Sequence, residues 1–295
     1  MNSGILSSWP WLHFIEFISP EVDRFSILKR ILQEALLNYT VITISGNRHF
    51  FISPPPPEGV YLRRRLTILV AHYDRYPGSP GANDNSAAVF ILLETALKLR
   101  KEKVNNWLII FTDKEELFSG ESIRNQGSYS LAAGLRETGM DRARIYSFDA
   151  CGTGDSMIVS DTADYLLKNE RGGEKIRSSL KDLRENALAK GRTLSMAKIH
   201  QAPSPFSDDL GFLRAGLAAQ TITMLPSEEC ATLVSIVRRD PGFAEVLVNQ
   251  KMRNSQNVMQ IPGTWRNLNS NSDSYLKLTP QHFRIVQRFA EALCK

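Results

Sequence analysis

Three apolar runs constrain the fold more than anything else in this chain. Leu66 to His72 (LTILVAH), Asn106 to Asp113 (NWLIIFTD) and Arg144 to Gly152 (RIYSFDACG) are each of strand length. A strand with one wet face alternates apolar and polar residues, whereas a continuous run marks a strand covered on both faces, as in a parallel sheet. Between the first two runs lies AAVFILLETALKLRK, a helical stretch preceded by Asp84, Asn85 and Ser86, residue types that cap helices. Strands alternating with helices over residues 40–150 predict an α/β sheet with parallel members.

The flanks add further elements. Residues 20–38 carry apolar residues at helical spacing, and TVITISG (40–46) reads as a β-branched strand ending at Gly46. Pro54 to Pro57 predicts a rigid, extended surface bend. Residues 162–193 read as helical and charged, AQTITML (219–225) as a strand, and ATLVSIVRR as a helix within 227–265. TPQHFRIVQRFAEALCK reads as a closing helix with Pro280 near its first turn. With no internal repeat or low-complexity linker, the expectation is a single domain over residues 1–295. Its expected architecture is a three-layer α/β/α fold with a mixed, largely parallel central sheet, and 154–200 and 227–265 are expected as lid or insertion segments.

Composition narrows the function classes. Apolar residues make up 42% of the chain and charged residues 23%, an ordinary globular mixture. The net charge of +5 is scattered. Its densest cluster, Arg63-Arg64-Arg65, reads as a solvated strand edge rather than the basic stripe of a nucleic-acid binder. Cys151, Cys230 and Cys294 show no CxxC spacing, which argues against a disulfide framework or a thiolate zinc site. No apolar run approaches the roughly 18 residues that span a bilayer. Met1 to Ser19 is apolar and aromatic but contains Pro10, His13 and Glu16 and lacks a basic leader, so it does not read as a signal peptide. A cytoplasmic monomer or homodimer that binds neither nucleic acid nor membrane is the expectation.

In parallel sheets, ligands bind beyond the carboxyl ends of the strands. His72 and Asp74 end the first run, Asp113, Glu115 and Glu116 the second, and Asp149 the third. Singly, each has an ordinary explanation: a hydrogen-bonded histidine, helix caps, an acidic pair complementing a helix start, a turn aspartate. Together they gather a histidine and several carboxylates on one surface, where uncompensated negative charge repels. A divalent cation resolves that conflict, and imidazole nitrogen with carboxylate oxygen is a donor set zinc accepts. His-x-Asp spacing also places a carboxylate behind the imidazole, fixing its tautomer.

AHYD (71–74), PGANDNSAA (80–88), TDKEE followed by Gly120 and Ser122, and FDACG (148–152) are similar to the successive motifs of the M28 family of zinc aminopeptidases, which also contains the animal glutaminyl cyclases. SDDLGFLRAGLAA (207–219) resembles the family segment that normally reads Ser-Asp-His and leads into a strand. The resemblance implies a zinc-exopeptidase-like fold and a set of roles. His72 and Asp149 would bind one zinc, Asp84 would bridge two, and Glu116 would bind the second. Glu115 would be the general base that takes a proton from the bridging water, and Asp74 would orient His72. The Asp84-Asn85 peptide would be cis. The family's last ligand is a histidine in a His-Thr-x-x-Asp context; here Asn269-Ser270-Asn271-Ser272-Asp273 occupies that stretch, so Asn269 stands at the ligand position. An amide oxygen is a weaker zinc donor than imidazole, so one or two zinc ions are expected. Of the remaining histidines, His13, His49, His200 and His282, none has the expected spacing.

Three readings follow. The first is an aminopeptidase acting on peptides with a free N-terminus, with Asp208 or Asp209 as candidates for holding the substrate's amine. The second is a catalytically silent peptide- or partner-binding relative, motivated by Asn269. The third is a single-zinc enzyme of the glutaminyl cyclase type.

Overall fold

The computed structural model describes residues 8–55, 65–168, 173–194, 198–248 and 255–295. Its strands are β1 (Tyr39–Ile44), β2 (Asn47–Ile52), β3 (Thr67–His72), β4 (Trp107–Thr112), β5 (Arg144–Phe148), β6 (Ser156–Ser160), β7 (Lys198–Ala202) and β8 (Gln220–Leu225). They form one mixed sheet in the order β1-β2-β4-β3-β5-β8-β6-β7. Its centre, β4-β3-β5-β8, is parallel throughout, while β1, β2 and the β6–β8 pairing are antiparallel.

The continuous apolar runs are continuous because both of their faces are covered. In β3, Leu69 and Ala71 pack into one core and Ile68 and Val70 into another; in β4, Ile109 and Phe111 face the first core and Leu108 and Ile110 the second. The first face is covered by helices α1 (Arg24–Glu34), α2 (Ala87–Lys101), α4 (Glu174–Thr193) and α7 (Phe283–Cys294). The second is covered by α3 (Gly127–Glu137) and α5 (Asp208–Arg214). Helix, sheet and helix thus make three layers, the α/β/α arrangement read from the sequence. Residues 154–200 contain β6, α4 and the first residues of β7. Residues 227–265 contain α6 (Ser227–Arg239) and short helices, and from this stretch Leu233, Phe243, Leu247, Ile261 and Trp265 pack with Ile158 and Leu225 of the sheet.

Ahead of α1, an aromatic segment seats itself on α2. Trp11, Phe14 and Phe17 are fully buried, and their rings lie 5.3, 5.1 and 5.4 Å from that of Phe90. Met1 to Ser7, Pro56, Pro57, Arg63 and Arg64 lie outside the described residues. Arg65 is described, and its Nη1 lies 2.6 Å from Asp182 Oδ2. The three cysteines are buried and free. No described helix is long and apolar enough to cross a membrane.

The strand expected to end at Gly46 turns there into a second strand. Ser45 (φ 52°) and Gly46 (φ 85°) both have positive φ, the conformation of a two-residue hairpin turn matched to strand twist. On β2, buried His49 accepts the Asp113 N–H at Nδ1 (3.2 Å), tying the hairpin to the exit of β4. Burial lowers the His49 pKa to about 4.

Two stability measurements test this packing. Phe90→Ala removes the platform for the aromatic segment and should cost about 3–5 kcal/mol by urea unfolding; a loss under about 1 kcal/mol would mean that the segment is not anchored there. His49 is held neutral in the fold and titrates near 6.5 when unfolded. Its contribution is therefore complete above pH 6.5 and is lost as pH falls toward about 4. Over that window the unfolding free energy of the wild type should fall by up to about 3 kcal/mol more than that of His49→Gln; parallel pH profiles would refute the assignment.

Candidate functional site

Because β4, β3 and β5 are parallel neighbours, their carboxyl ends lie side by side and deliver their polar residues to one place. His72, the last residue of β3, is fully buried. Its Nε2 lies 3.1 Å from Asp84 Oδ1, 3.7 Å from Asp149 Oδ1 and 4.0 Å from Glu115 Oε2. Its Nδ1 faces Asp74 Oδ1 at 3.3 Å. Two donor groups result, His72 with Asp84 and Asp149, and His72 with Glu115 and Glu116; within each, the donor atoms lie within 4.8 Å of one another.

Most of the backbone that presents these side chains is braced from behind. The Asp74 carboxylate accepts the N–H groups of Glu115 (3.1 Å) and Glu116 (3.0 Å), so one residue faces the imidazole and fixes the acidic loop. Asp84 sits in a non-helical kink (φ −112°, ψ 89°) entered through Gly81 at φ 58°, and its peptide bond to Asn85 is cis. Asp273 braces that kink by accepting the N–H groups of Asn83 (2.8 Å) and Asp84 (3.0 Å). Asn85 Nδ2 donates to Phe148 O at 2.7 Å, joining the kink to the end of β5. Gln126 Nε2 donates to Glu115 Oε1 at 2.9 Å, and Ser128 Oγ donates to Gln126 Oε1, also at 2.9 Å, so the amide is oriented. Beside it Gly127 passes so close to the exit of β4 that a Cβ would lie 1.9 Å from Asp113 O. The bracing by Gln126 carries no sequence signal, and Asp273, which the sequence places at the end of the stretch matched to the His-Thr-x-x-Asp context, braces the Asp84 kink through contacts that only folding makes.

The electrostatics expose a deficit of positive charge. Burial, followed by repulsion from Asp84, pushes Glu116 up to about 9. Burial also drives Glu115 well above the usual carboxylate range. Asp84 rises to about 6 through burial and then Asp149, despite His72. Asp74 behaves oppositely: although buried, it is held below its usual value by His72 and by the two N–H groups it accepts. The deficit coincides with orphaned atoms, because His72 Nε2, Asp84 Oδ1, Glu116 Oε1 and Asp149 Oδ1 are buried without a hydrogen-bond partner. His72 Nε2 and Asp84 Oδ1 are close but not aligned as donor and acceptor. Ligands about 2 Å from a tetrahedral ion lie roughly 3.3 Å apart, and converging unpaired atoms at such spacings suit a cation. Nitrogen and carboxylate donors without thiolates fit zinc.

Asp84, Glu115, Glu116 and Asp149 line a cavity of ≈ 670 Å³. Its lining mixes polar and apolar groups, with Tyr76, Leu117, Ile123, Phe206, Leu247 and Trp265 forming an apolar wall. Asn269 lies on the same wall, exposed and in the left-handed region (φ 58°). Asp208 and Asp209 are buried in the first turn of α5 and are not part of the wall. Asp208 accepts from Thr112 Oγ1 (2.7 Å) at the joint between β4 and α5, with its Oδ1 buried and unpartnered, and Asp209 accepts from the Ser207 N–H (2.9 Å). Among the histidines only His72 joins a donor group of the described residues. His13 pairs with Glu34 at 3.0 Å, His200 lies in β7, and His282 lies in the turn before α7.

The glutaminyl cyclase of Porphyromonas gingivalis superimposes with a TM-score of 0.61 at 14% identity, covering 96% of this chain and 94% of that one. The LapA aminopeptidase of Legionella pneumophila gives 0.61 at 13% identity, over 96% and 68% of the two chains. BSAP, a zinc aminopeptidase from Bacillus subtilis, gives 0.54 at 16% identity over 83% of this chain, which spans only 49% of that protein. At these identities the likeness establishes the fold. No curated protein matches the chain in sequence. The family model described as Peptidase family M28 matches residues 58–275, a span that runs from ahead of β3 to beyond Asp273 and includes every donor described above. The chain belongs to peptidase family M28.

Proposed function

We propose that this chain is a zinc-dependent aminopeptidase acting on peptides with a free N-terminus, with residues 1–295 forming one catalytic domain. His72, Asp84 and Asp149 would hold one zinc, and Asp84, Glu116 and Asn269 a second. Zinc, when bound, polarises the scissile carbonyl and makes a nearby water more acidic. Glu115 then acts as general base, taking a proton from the attacking water and passing it to the departing amine nitrogen. Gln126 holds one Glu115 oxygen, which leaves Oε2 on the side of His72. Asp74 keeps His72 and the Glu115-Glu116 backbone in a common frame. The apolar wall excludes water and receives the substrate's side chains.

The observation that carries this reading is the way Glu115 is held. A largely covered carboxylate (side chain 14% exposed), on a residue whose main-chain N–H donates to Asp74, with one oxygen accepting from Gln126 and the other 4.0 Å from an imidazole, is placed for proton transfer. A protein that only binds peptides has no evident need of it. The second reading, a silent binder, draws on Asn269, whose amide offers a weaker donor than the family's histidine. The third, a glutaminyl cyclase-type enzyme, draws on the Porphyromonas gingivalis structure, which matches this chain over nearly its whole length.

Zinc-loaded protein should release amino acids from unblocked dipeptides, lose that activity on chelation and regain it with zinc. Glu115→Gln should lower kcat by about 10²–10⁴-fold while zinc content stays unchanged; undiminished turnover would refute the base. Gln126→Leu should lower kcat less, with little change in KM. Elemental analysis narrows the readings: two zinc equivalents support the Asn269 site, one keeps hydrolysis and a single-zinc cyclase both open, and none puts the silent binder first. Pyroglutamate formation from an N-terminal Gln peptide would favour the cyclase.

A further inference from the structure

We infer that Arg24 is a positioning residue of the metal centre, its buried guanidinium binding the two ligand-carrying loops to each other and to the N-terminal segment. The inference rests on the zinc reading above, and it involves a residue outside the family-matched span 58–275.

Arg24 opens α1, whose N-cap Asp23 accepts the Phe25 N–H at 3.2 Å. It is only 5% exposed, a burial that arginine tolerates when its donors are satisfied. A guanidinium has five N–H donors, and here five hydrogen bonds go to main-chain carbonyls. Nε donates to Phe17 O (3.2 Å), Nη1 to Tyr73 O (3.2 Å) and Asp74 O (2.9 Å), and Nη2 to Pro80 O (2.7 Å) and Gly81 O (3.3 Å). The Tyr73 and Asp74 carbonyls belong to the loop leaving His72, and the Pro80 and Gly81 carbonyls to the entry of the Asp84 kink. One planar cation therefore sets the separation between the backbone that presents His72 and the backbone that presents Asp84. Gly81 makes room for it: a Cβ there would lie 2.9 Å from Arg24 Nη2 and 2.7 Å from Asp84 O.

The clasp is reciprocal. Arg75, on the first of these loops, donates to Ile18 O (3.1 Å) and to Pro20 O in the N-terminal segment. Arg24 also lies over the Phe17 ring, 4.8 Å from its centroid, and Phe17 is seated on Phe90. The N-terminal aromatic segment and α1 are thus mechanically continuous with the ligand loops. By linkage, a metal that fixes the loops also favours docking of that segment, and undocking weakens the metal. Lysine has three donors on a point charge and cannot span four loop carbonyls in one plane.

The test measures zinc affinity by chelator competition for wild type, Arg24→Met and Arg24→Lys, with circular dichroism as the control for folding. Arg24→Met should bind zinc about 10–100-fold more weakly, the usual range for groups that orient ligands, with Arg24→Lys in between. A folded Arg24→Met with wild-type affinity would overturn the inference. If that variant does not fold, Arg24→Lys and the wild type decide. In wild-type protein, zinc should slow hydrogen exchange of amides across 14–34, and unchanged exchange there would also overturn it. A wild type that binds no zinc would instead sink the proposed function; tight binding in both wild type and Arg24→Met removes only the role of Arg24.

Discussion

Negative charge concentrated at a buried sheet edge is the constraint from which much of this structure follows. Parallel strands β4, β3 and β5 bring Glu115, Glu116, Asp84 and Asp149 around His72, with little water to screen them. The protein answers with local devices of different strength. Carboxylates that take pairs of main-chain N–H groups, Asp74 and Asp273, become braces. Among those left with bare oxygens, Asp84, Glu116 and Asp149 converge on His72, whereas Asp161 and Asp208 join no donor group of the described residues. Main-chain N–H groups satisfy the braces, and the charge left uncompensated on the converging oxygens is of the kind a cation suits.

Much of this was legible in the sequence because it is local. The parallel strands announce themselves as apolar runs, and their last residues name the site, so His72, Asp74, Glu115, Glu116 and Asp149 could be placed at one edge without coordinates. Asp84 was legible through its motif rather than its surroundings, as the entry to α2 reads equally well as an ordinary cap. The hairpin strand β2 escaped because NRHFFI begins polar and lacks alternation; the Ser45-Gly46 pair was the usable signal. Strand β7 escaped for a different reason: KIHQA lies at the sheet edge and is only partly covered, so its composition stays polar.

Asp74 behind His72 was legible from its spacing, but the supporting contacts made across long stretches of chain were not. Asp273 meets the Asp84 N–H across 189 positions, and Arg24 meets Pro80 O across 56. Neither distance leaves a periodicity or a motif, and a solitary Arg at a helix start or a solitary Gln in a loop has many ordinary explanations. A sequence identifies donors by type and spacing, whereas the groups that aim them are chosen by the fold, and residue type alone does not single them out.

The cavity divides its parentage. Its polar floor comes from residues 84–149, at the ends of the central strands, whereas Phe206, Leu210, Leu247, Val258, Ile261, Trp265 and Leu268 come from the later part of the chain. Substitutions at those apolar positions would reshape the chamber and leave its carboxylates in place, whereas at Asn269 and Asp273 the same late stretch of chain reaches the floor itself.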